Sequence, residues 1–226
     1  MAKNHFVPNL IIRNFSINDE NGIPRISFLQ KSTNQIIENI LSRKQCQERY
    51  FYSKEKISDL LSKFNHIILN PIFKDKEKTL EYNLDINLES EFGKICQELK
   101  KYPQINDLIK NQEFIKEYLV VQFLRSKKFK ESIKETRIIK DYQNKFALEI
   151  INKRVRDDFF SCYNLTNTNI FLLQNDTNTP FVLSDLGVLV TELIKNNPDG
   201  SKTKGNEFYL SIDPKLIILF SQKKLI

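Results

Sequence analysis

The amino-acid sequence predicts a single domain of the α+β class. Short apolar runs separated by turn residues occur near both ends of the chain, as in strands, and the middle carries the longer periodic patterns of amphipathic helices. We expect a β-hairpin at residues 5–28, a helical region at 30–160 and C-terminal strands at 168–221. The hairpin and the C-terminal strands would share one mixed or antiparallel sheet packed against the helices.

The N-terminal hairpin is predicted from interruptions in an apolar segment. Between Phe6 and Phe28 the apolar stretches are broken by the polar residues 16–21, by Gly22 and by Pro24. An Asn-Gly pair favours a tight turn, so the segment is expected to form a strand, a turn and a second strand. Because isolated hairpins are marginal in water, we expect this one to pair with the C-terminal strands.

The helical region is predicted from the spacing of apolar residues. Residues 86–101 give the clearest pattern, with apolar side chains at intervals of four, three and four: Leu88, Phe92, Ile95 and Leu99. This helix should end before Pro103. Other helices are expected at residues 30–40, 54–68, 105–124 and 129–160, the last of them kinked or broken.

The C-terminal strands are predicted from short apolar runs bounded by Asn, Asp, Pro, Gly and Ser, the residues that favour turns. The runs lie at residues 170–173, 181–183, 188–193, 208–210 and 216–220. Strands at both ends and helices between them make α+β the simplest architecture.

Composition limits the class of protein. A chain of 226 residues with 40% hydrophobic residues can bury a substantial core. Its 11% aromatic content and five glycines exclude disordered and collagen-like chains, and no apolar run approaches the length of a membrane span. The three cysteines are too scattered for a disulfide framework, and the N-terminus lacks the apolar stretch of a signal peptide. We therefore expect a cytoplasmic protein without a membrane partner.

The basic charge of the chain is concentrated in one segment. The formal net charge is +7, and residues 127–156 hold ten Lys or Arg against four Asp or Glu. Four of the basic residues recur every three or four positions and would share a helix face: Lys127, Lys130, Lys134 and Arg137. One interpretation is a stripe that contacts the phosphates of RNA or DNA. The other is an ordinary solvated helix face in a chain whose Lys, Asn and Ile content is typical of an AT-rich genome.

Familiar nucleotide-binding and hydrolase motifs are absent from the sequence. Five widely spaced glycines form neither a Walker loop nor a dinucleotide-binding loop, and the zinc-protease and serine-hydrolase signatures do not occur. With only His5 and His66, the chain has no His-rich zinc centre. A site built from one histidine and carboxylates stays open.

Five polar residues stand out by their surroundings. Gln122 and Arg125 lie three apart within an apolar segment, where an arginine pairs with a carboxylate or holds an anion. Glu89 begins the preceding helix, and Asp185 follows an apolar run. His5 precedes the first apolar segment, where it could reach a cleft at the edge of a sheet. Each also has an ordinary explanation, as a helix-start charge, a turn former, an ion pair or a surface residue.

Short motifs with these residues occur in order along the chain: His5-Phe6-Val7-Pro8, Tyr50-Phe51-Tyr52, Leu88-Glu89-Ser90-Glu91-Phe92, Gln122-x-x-Arg125, Ser184-Asp185 and Leu210-Ser211-x-x-Pro214. Together they resemble the bacterial proteins grouped as domain of unknown function 4238, over almost the whole chain. Leu186-Gly187 stands where that family has Asn-Pro, and Lys127 stands where a proline is usual.

The resemblance implies no established chemistry, but it implies that His5, Glu89, Gln122, Arg125 and Asp185 meet in space. Our hypothesis is a polar site for a phosphate-containing substrate, RNA or DNA. His5 would be the general acid or base, Arg125 would clamp the phosphate, and Glu89 with Asp185 would either bind a metal or orient the other two.

No cofactor is evident from the sequence, and a divalent metal would suit the proposed chemistry. A nuclease-like hydrolase that acts in stress or phage defence is one interpretation. The alternative is a non-catalytic module that binds nucleic acid or another protein. The sequence does not indicate the oligomeric state.

Overall fold

The computed structural model of the chain describes residues 3–49, 51–64, 66–136, 142–196 and 202–222. It has the predicted α+β class. Within the described residues, strands form three antiparallel sheets, one of two strands, one of three and one of four.

The N-terminal part of the chain contains one short helix and the two smaller sheets. Its elements are β1 (Lys3–His5), α1 (Asn9–Asn14), β2 (Ile17–Asn18), β3 (Pro24–Gln30), β4 (Gln35–Leu41) and β5 (Gln47–Arg49). Strand β1 pairs with β5, and β3 lies between β2 and β4.

The middle of the chain is helical. It contains α2 (Ile57–Lys63), α3 (Leu80–Asn83), a π-helical segment (Leu84–Glu89), α4 (Ser90–Lys101), α5 (Ile105–Leu124), α6 (Lys127–Thr136), α7 (Tyr142–Ile151) and α8 (Lys153–Cys162). Helix α5 has the predicted bounds, α4 ends before Pro103 as predicted, and the segment predicted to be kinked or broken is divided among α6, α7 and α8.

The C-terminal sheet contains four strands in the order β6, β9, β8, β7. Their bounds are Asn169–Gln174 for β6, Leu189–Asn196 for β7, Lys202–Asp213 for β8 and Leu216–Ser221 for β9. Every residue of β9 is buried, and β9 is an inner strand of the sheet, between β6 and β8.

The prediction of one sheet shared by the two ends of the chain is wrong. Among the described residues, the N-terminal strands pair only with one another, because β4 and β5, which lie within the segment predicted to be helical, provide the partners of β3 and β1. The two ends still meet: the Asn14 side chain at the end of α1 donates a 2.8 Å hydrogen bond to the carbonyl of Ile212 in β8.

Three local predictions are also corrected. Residues after Pro8 form α1 instead of a strand, because Ile11 and Ile12 enter the core together from adjacent helical positions. Residues 35–41 form β4 instead of a helix, closed by a turn at Asn34, whose φ is 51°. Residues 181–183 have no ladder partner, and Val182 is 81% exposed.

The core forms around α5. From Tyr118 to Leu124 almost every side chain of this helix is buried, including polar Gln122. A helix surrounded on all sides has no solvent face for a polar residue. The polar groups of α5 therefore need partners inside the protein.

Candidate functional site

The buried end of α5 carries an arginine with no exposed surface. Arg125 Nη1 donates a 2.6 Å hydrogen bond to Glu89 Oε1, and Nε donates to Gln122 Oε1 at 2.8 Å. Burial has the largest single effect and disfavours the charged guanidinium. The charge of Glu89, its hydrogen bond to Arg125 and the nearby Tyr52 and Tyr118 together outweigh burial and hold the Arg125 pKa above its usual value. Among the described residues, Arg125 Nη2 has no hydrogen-bond partner.

Gln122 links Arg125 to two other segments of the chain. Its Nε2 donates a 2.8 Å bond to the carbonyl of Phe6 and a longer one, 3.4 Å, to the carbonyl of Leu186. Phe6 follows His5, and Leu186 follows Asp185. The buried amide of Gln122 therefore connects Arg125 to the two segments that carry His5 and Asp185.

The loop at Leu186 approaches Gln122 so closely that only glycine fits beside it. Gly187 has a φ of +73°, and a Cβ on it would lie 2.4 Å from Gln122 Nε2. The neighbouring turn is held by a 2.9 Å bond from the Gly187 amide to the Ser184 carbonyl. Glycine at this position lets the loop complete the hydrogen bonds of Gln122.

Replacing Gly187 with alanine is expected to lower the free energy of unfolding by about 1–3 kcal/mol, because a Cβ strains the backbone and displaces the Gln122 amide. The matched control is Gly22→Ala, since Gly22 has a φ of +72° and open space around it. Chemical denaturation of both variants separates the packing effect from the backbone strain. Equal losses in the two variants would show that contact with Gln122 contributes nothing.

His5 lies at the end of β1, and its backbone and ring are both held. Its carbonyl accepts a hydrogen bond from the Tyr52 hydroxyl at 3.2 Å. Its ring Nε2 lies 3.2 Å from the carbonyl of Arg43. A carbonyl only accepts, so Nε2 carries the hydrogen, and Nδ1 is the nitrogen that can take up a proton.

The ring of His5 borders a polar cavity of about 300 Å³. The cavity is lined by His5, Asn9, Glu81, Tyr82, Asp85 and Glu89. Three of these residues are carboxylates spaced four apart, on α3 and the π-helical segment. Such segments often occur at functional sites, because the wider turn redirects side chains. The cavity thus brings together one histidine and three acidic side chains.

Two oxygens of the cavity-lining residues are buried without a hydrogen-bond partner among the described residues, Glu81 Oε2 and Asn9 Oδ1. Burial raises the pKa of Glu81 to about 7, with the charge of Glu89 adding to the effect and that of Arg125 opposing it. A carboxyl group that titrates near neutrality inside a cavity is suited to proton transfer.

The raised pKa of Glu81 predicts a pH-dependent stability. The folded chain binds the Glu81 proton more tightly than the unfolded chain, so the protonated carboxyl group stabilises the fold. This stabilisation of the folded state is complete below the usual pKa of 4.5 and is lost as the pH rises through about 7. Relative to wild type, we expect Glu81→Gln to gain roughly 2–3 kcal/mol of unfolding free energy between pH 4.5 and pH 8. Urea denaturation across that range measures the difference. Parallel curves for the two proteins would contradict the shift.

The structure brings together four of the five residues singled out in the sequence and leaves the fifth outside the cavity. His5 and Glu89 line the cavity, and Gln122 and Arg125 lie next to it. Asp185 is exposed on the loop before β7 and does not line the cavity. Its charge acts on Cys46, whose pKa is raised to about 11, mainly by burial and then by Asp185.

Asn9, Glu81 and Asp85 were not found by the sequence reasoning. The sequence does contain a signal for the two acidic residues. Asp85 and Glu81 lie four and eight residues before Glu89, which is the spacing of successive helical turns. The helix was predicted to begin at residue 86, whereas α3 begins at Leu80, capped by the Thr79 hydroxyl, which accepts from the Tyr82 amide.

The basic stripe predicted on one helix face is not continuous. Lys130 is buried, with its ammonium 3.0 Å from Glu48 Oε1 and 4.1 Å from the centre of the Phe51 ring. Lys127 and Lys134 are exposed on α6. Arg137 lies outside the described residues. Burial lowers the pKa of Lys130. Because its ammonium is buried against Glu48 and Phe51, the Lys130 side chain packs inside the protein and is not placed to contact a phosphate.

A second and larger cavity, of about 720 Å³, lies between α4, α5 and the loop after α2. Its lining mixes both charge signs, and Lys94 pairs with Glu91 at 2.7 Å. We centre the candidate site on the smaller cavity, because the buried unpartnered oxygens of Glu81 and Asn9 belong to residues that line it.

Among the described residues, no group of three or more His, Cys, Asp or Glu side chains is placed to hold a metal ion. No helix in the same residues is long and apolar enough to cross a membrane. Asp185 does not line the cavity, and Glu89 forms a 2.6 Å ion pair with Arg125, which favours Glu89 as a residue that orients Arg125.

Comparison with known proteins gives one family. Residues 3–226 match the model of the family described as "Protein of unknown function (DUF4238)". Neither the curated proteins nor the solved structures gave a significant match. The match extends over essentially the whole chain, including every residue of the candidate site. The chain therefore belongs to the DUF4238 family.

Proposed function

We propose that the chain is a phosphodiester hydrolase that acts on single-stranded nucleic acid. The observation that carries this proposal is the cavity lined by both His5 and Glu81, two of whose lining residues have a buried oxygen without a partner among the described residues. A histidine and a carboxylic acid on one cavity can act as the acid and the base of a hydrolytic reaction. Unpartnered buried polar atoms are rare in proteins, and a catalytic role or a bound ion or water is among the explanations for them.

The rim of the cavity supports nucleic acid as the substrate. Tyr82 is 43% exposed there, and the Lys78 ammonium lies 5.5 Å from the centre of its ring. Proteins that bind single strands combine aromatic rings, on which bases stack, with positive charge along the backbone path. Arg43, whose backbone carbonyl contacts the His5 ring, is itself exposed.

Arg125 has a supporting role in this proposal. Its side chain has no exposed surface and is bonded to Glu89 and Gln122, so it does not touch a phosphate in this conformation. It fixes Glu89 on one side of the cavity and, through Gln122, the backbone beside His5. We therefore assign Arg125 as a positioning residue instead of the phosphate clamp inferred from the sequence.

The test is cleavage of labelled single-stranded RNA and DNA by the purified chain. We expect the wild type to cleave at least one of the two, at a rate that Glu81→Gln lowers by about 10²-fold, since removing a general acid or base costs at least this much. The matched control is Glu77→Gln, which changes a carboxylate that is 71% exposed and pairs with Lys56. Equal rates for the two variants, or no cleavage of either nucleic acid, would overturn the proposal.

The exposed lysines of α6 support the alternative function, a non-catalytic module that binds nucleic acid, with fewer basic residues than the predicted stripe. Lys127 and Lys134 can contact phosphates, whereas Lys130 is buried. For the double variant Lys127→Glu/Lys134→Glu we expect weaker retention on single-stranded RNA, and a plot of log affinity against log salt that is shallower by about 1.4, or 0.7 for each lost contact. Fluorescence anisotropy at several salt concentrations measures this slope. An unchanged slope would remove α6 from nucleic-acid binding.

A further inference from the structure

We propose that the substrate is RNA and that the cavity transfers the phosphodiester to the ribose 2′-hydroxyl, which makes a 2′,3′-cyclic phosphate. This inference rests on the proposed function and specifies its substrate and its nucleophile. It is carried by the hydrogen-bonding character of the cavity and by the placement of its acid and base.

Two residues that line the cavity each have an acceptor oxygen without a hydrogen-bond partner among the described residues. Glu81 Oε2 and Asn9 Oδ1 are buried without partners among the described residues, and both atoms accept hydrogen bonds when Glu81 is ionised. A buried acceptor without a donor raises the free energy of the protein. A bound hydroxyl group that donates a hydrogen bond to one of these oxygens removes that cost. The ribose 2′-hydroxyl is such a donor, and DNA lacks it.

The charge and the size of the cavity indicate a sugar inside it and the phosphate at its mouth. Its lining contains acidic, amide, phenol and imidazole side chains and no lysine or arginine. A neutral sugar enters such a space more readily than an anionic phosphate. A volume of about 300 Å³ is at the lower end for ligand pockets and suits part of one nucleotide, with the base on Tyr82 at the rim.

Glu81 is the carboxylate best placed to act as the base. Glu89 is committed to Arg125 by a 2.6 Å ion pair, and Asp85 is exposed. Glu81 has one oxygen free of hydrogen bonds and mostly withdrawn from water. The pKa of Glu81, about 7, makes it a stronger base than an ordinary carboxylate at neutral pH.

The chemical step then balances with no further reactant. The Glu81 carboxylate takes the proton of the 2′-hydroxyl, and O2′ forms a bond to phosphorus. The bond between phosphorus and O5′ breaks, and the electron pair on O5′ takes a proton from the His5 imidazolium. The products are a 2′,3′-cyclic phosphate and a 5′-hydroxyl, and exchange with water restores both side chains.

The test compares three oligonucleotides of the same base sequence: RNA, fully 2′-O-methylated RNA and DNA. We expect the wild-type chain to cleave only RNA and to leave ends that mass spectrometry identifies as 2′,3′-cyclic phosphate. Glu81→Gln should lower the yield of cyclic ends about 10²-fold. Cleavage of DNA or 2′-O-methylated RNA at a similar rate would overturn this inference and leave the proposed hydrolase intact. No cleavage of any of the three would overturn both.

A binding measurement tests the sugar contact separately from catalysis. Asn9→Leu should weaken binding of the RNA oligonucleotide about 3- to 10-fold, because one hydrogen bond to the hydroxyl is lost. Binding of the DNA oligonucleotide should change less than twofold, which also controls for misfolding. Equal losses for RNA and DNA would show that Asn9 does not contact the 2′-hydroxyl.

Discussion

Replacing Arg125 with methionine is expected to lower the free energy of unfolding by about 3–5 kcal/mol, because it leaves the Glu89 carboxylate without its buried counter-charge. Methionine keeps the apolar bulk of the side chain, so the loss reports mainly on the missing charge and hydrogen bonds. Glu89 retains only 15% exposure in the ion pair, and Gln122 loses the donor to its side-chain oxygen. Equilibrium denaturation in urea measures the effect.

A surface ion pair with nearly the same geometry serves as the control for Arg125. Lys94 and Glu91 are 2.7 Å apart, but their side chains are 64% and 52% exposed. Lys94→Met should therefore cost less than about 1 kcal/mol. The double variant Arg125→Met/Glu89→Met should recover much of the loss, because no charge is left buried. Equal costs for Arg125→Met and Lys94→Met would mean that burial of the pair has no energetic role.

The unusual setting of Arg125 could be anticipated from the sequence because it is local. In an apolar segment an arginine either pairs with a carboxylate or holds an anion, and the structure shows the first, with Glu89, 36 residues away, as the partner. The bounds of α5 followed from the same periodicity. Such features depend on residues that are close to one another along the chain, so helix propensity and apolar spacing predict them.

The arrangement of strands depended on contacts that spacing does not reveal. Residues 35–41 carry a helix-like pattern, yet they pair with β3, and the cross-strand pair Leu29 and Ile36 belongs to that ladder. Pairing across a sheet overrides local preference. The same limit hid Glu81, because its place beside His5 depends on how α3 packs against the N-terminal segment. Asp185 was expected to end a strand, but the run before it has no ladder partner.

Replacing His5 with alanine is expected to reduce the rate of RNA cleavage by about 10²–10⁴-fold, the usual effect of losing a general acid. Its ring makes one hydrogen bond, to the Arg43 carbonyl, so the free energy of unfolding should change by about 1 kcal/mol or less. For a chain of this size that corresponds to a shift in Tm of about 2–4 °C. Cleavage rates at saturating RNA and thermal denaturation measure the two quantities.

The chain supplies its own control for His5, because His66 is the one other histidine in the sequence. His66 is exposed after α2 and lines neither cavity, so His66→Ala should cleave RNA at the wild-type rate.

A substrate whose leaving group needs no proton provides a further check on the role of His5. With a p-nitrophenyl phosphodiester of a ribonucleoside, which expels a stable phenolate, His5→Ala should recover most of its rate while Glu81→Gln stays slow. If His5→Ala stays equally slow on this substrate, His5 acts before the leaving group departs, and the acid and base assignments must be exchanged.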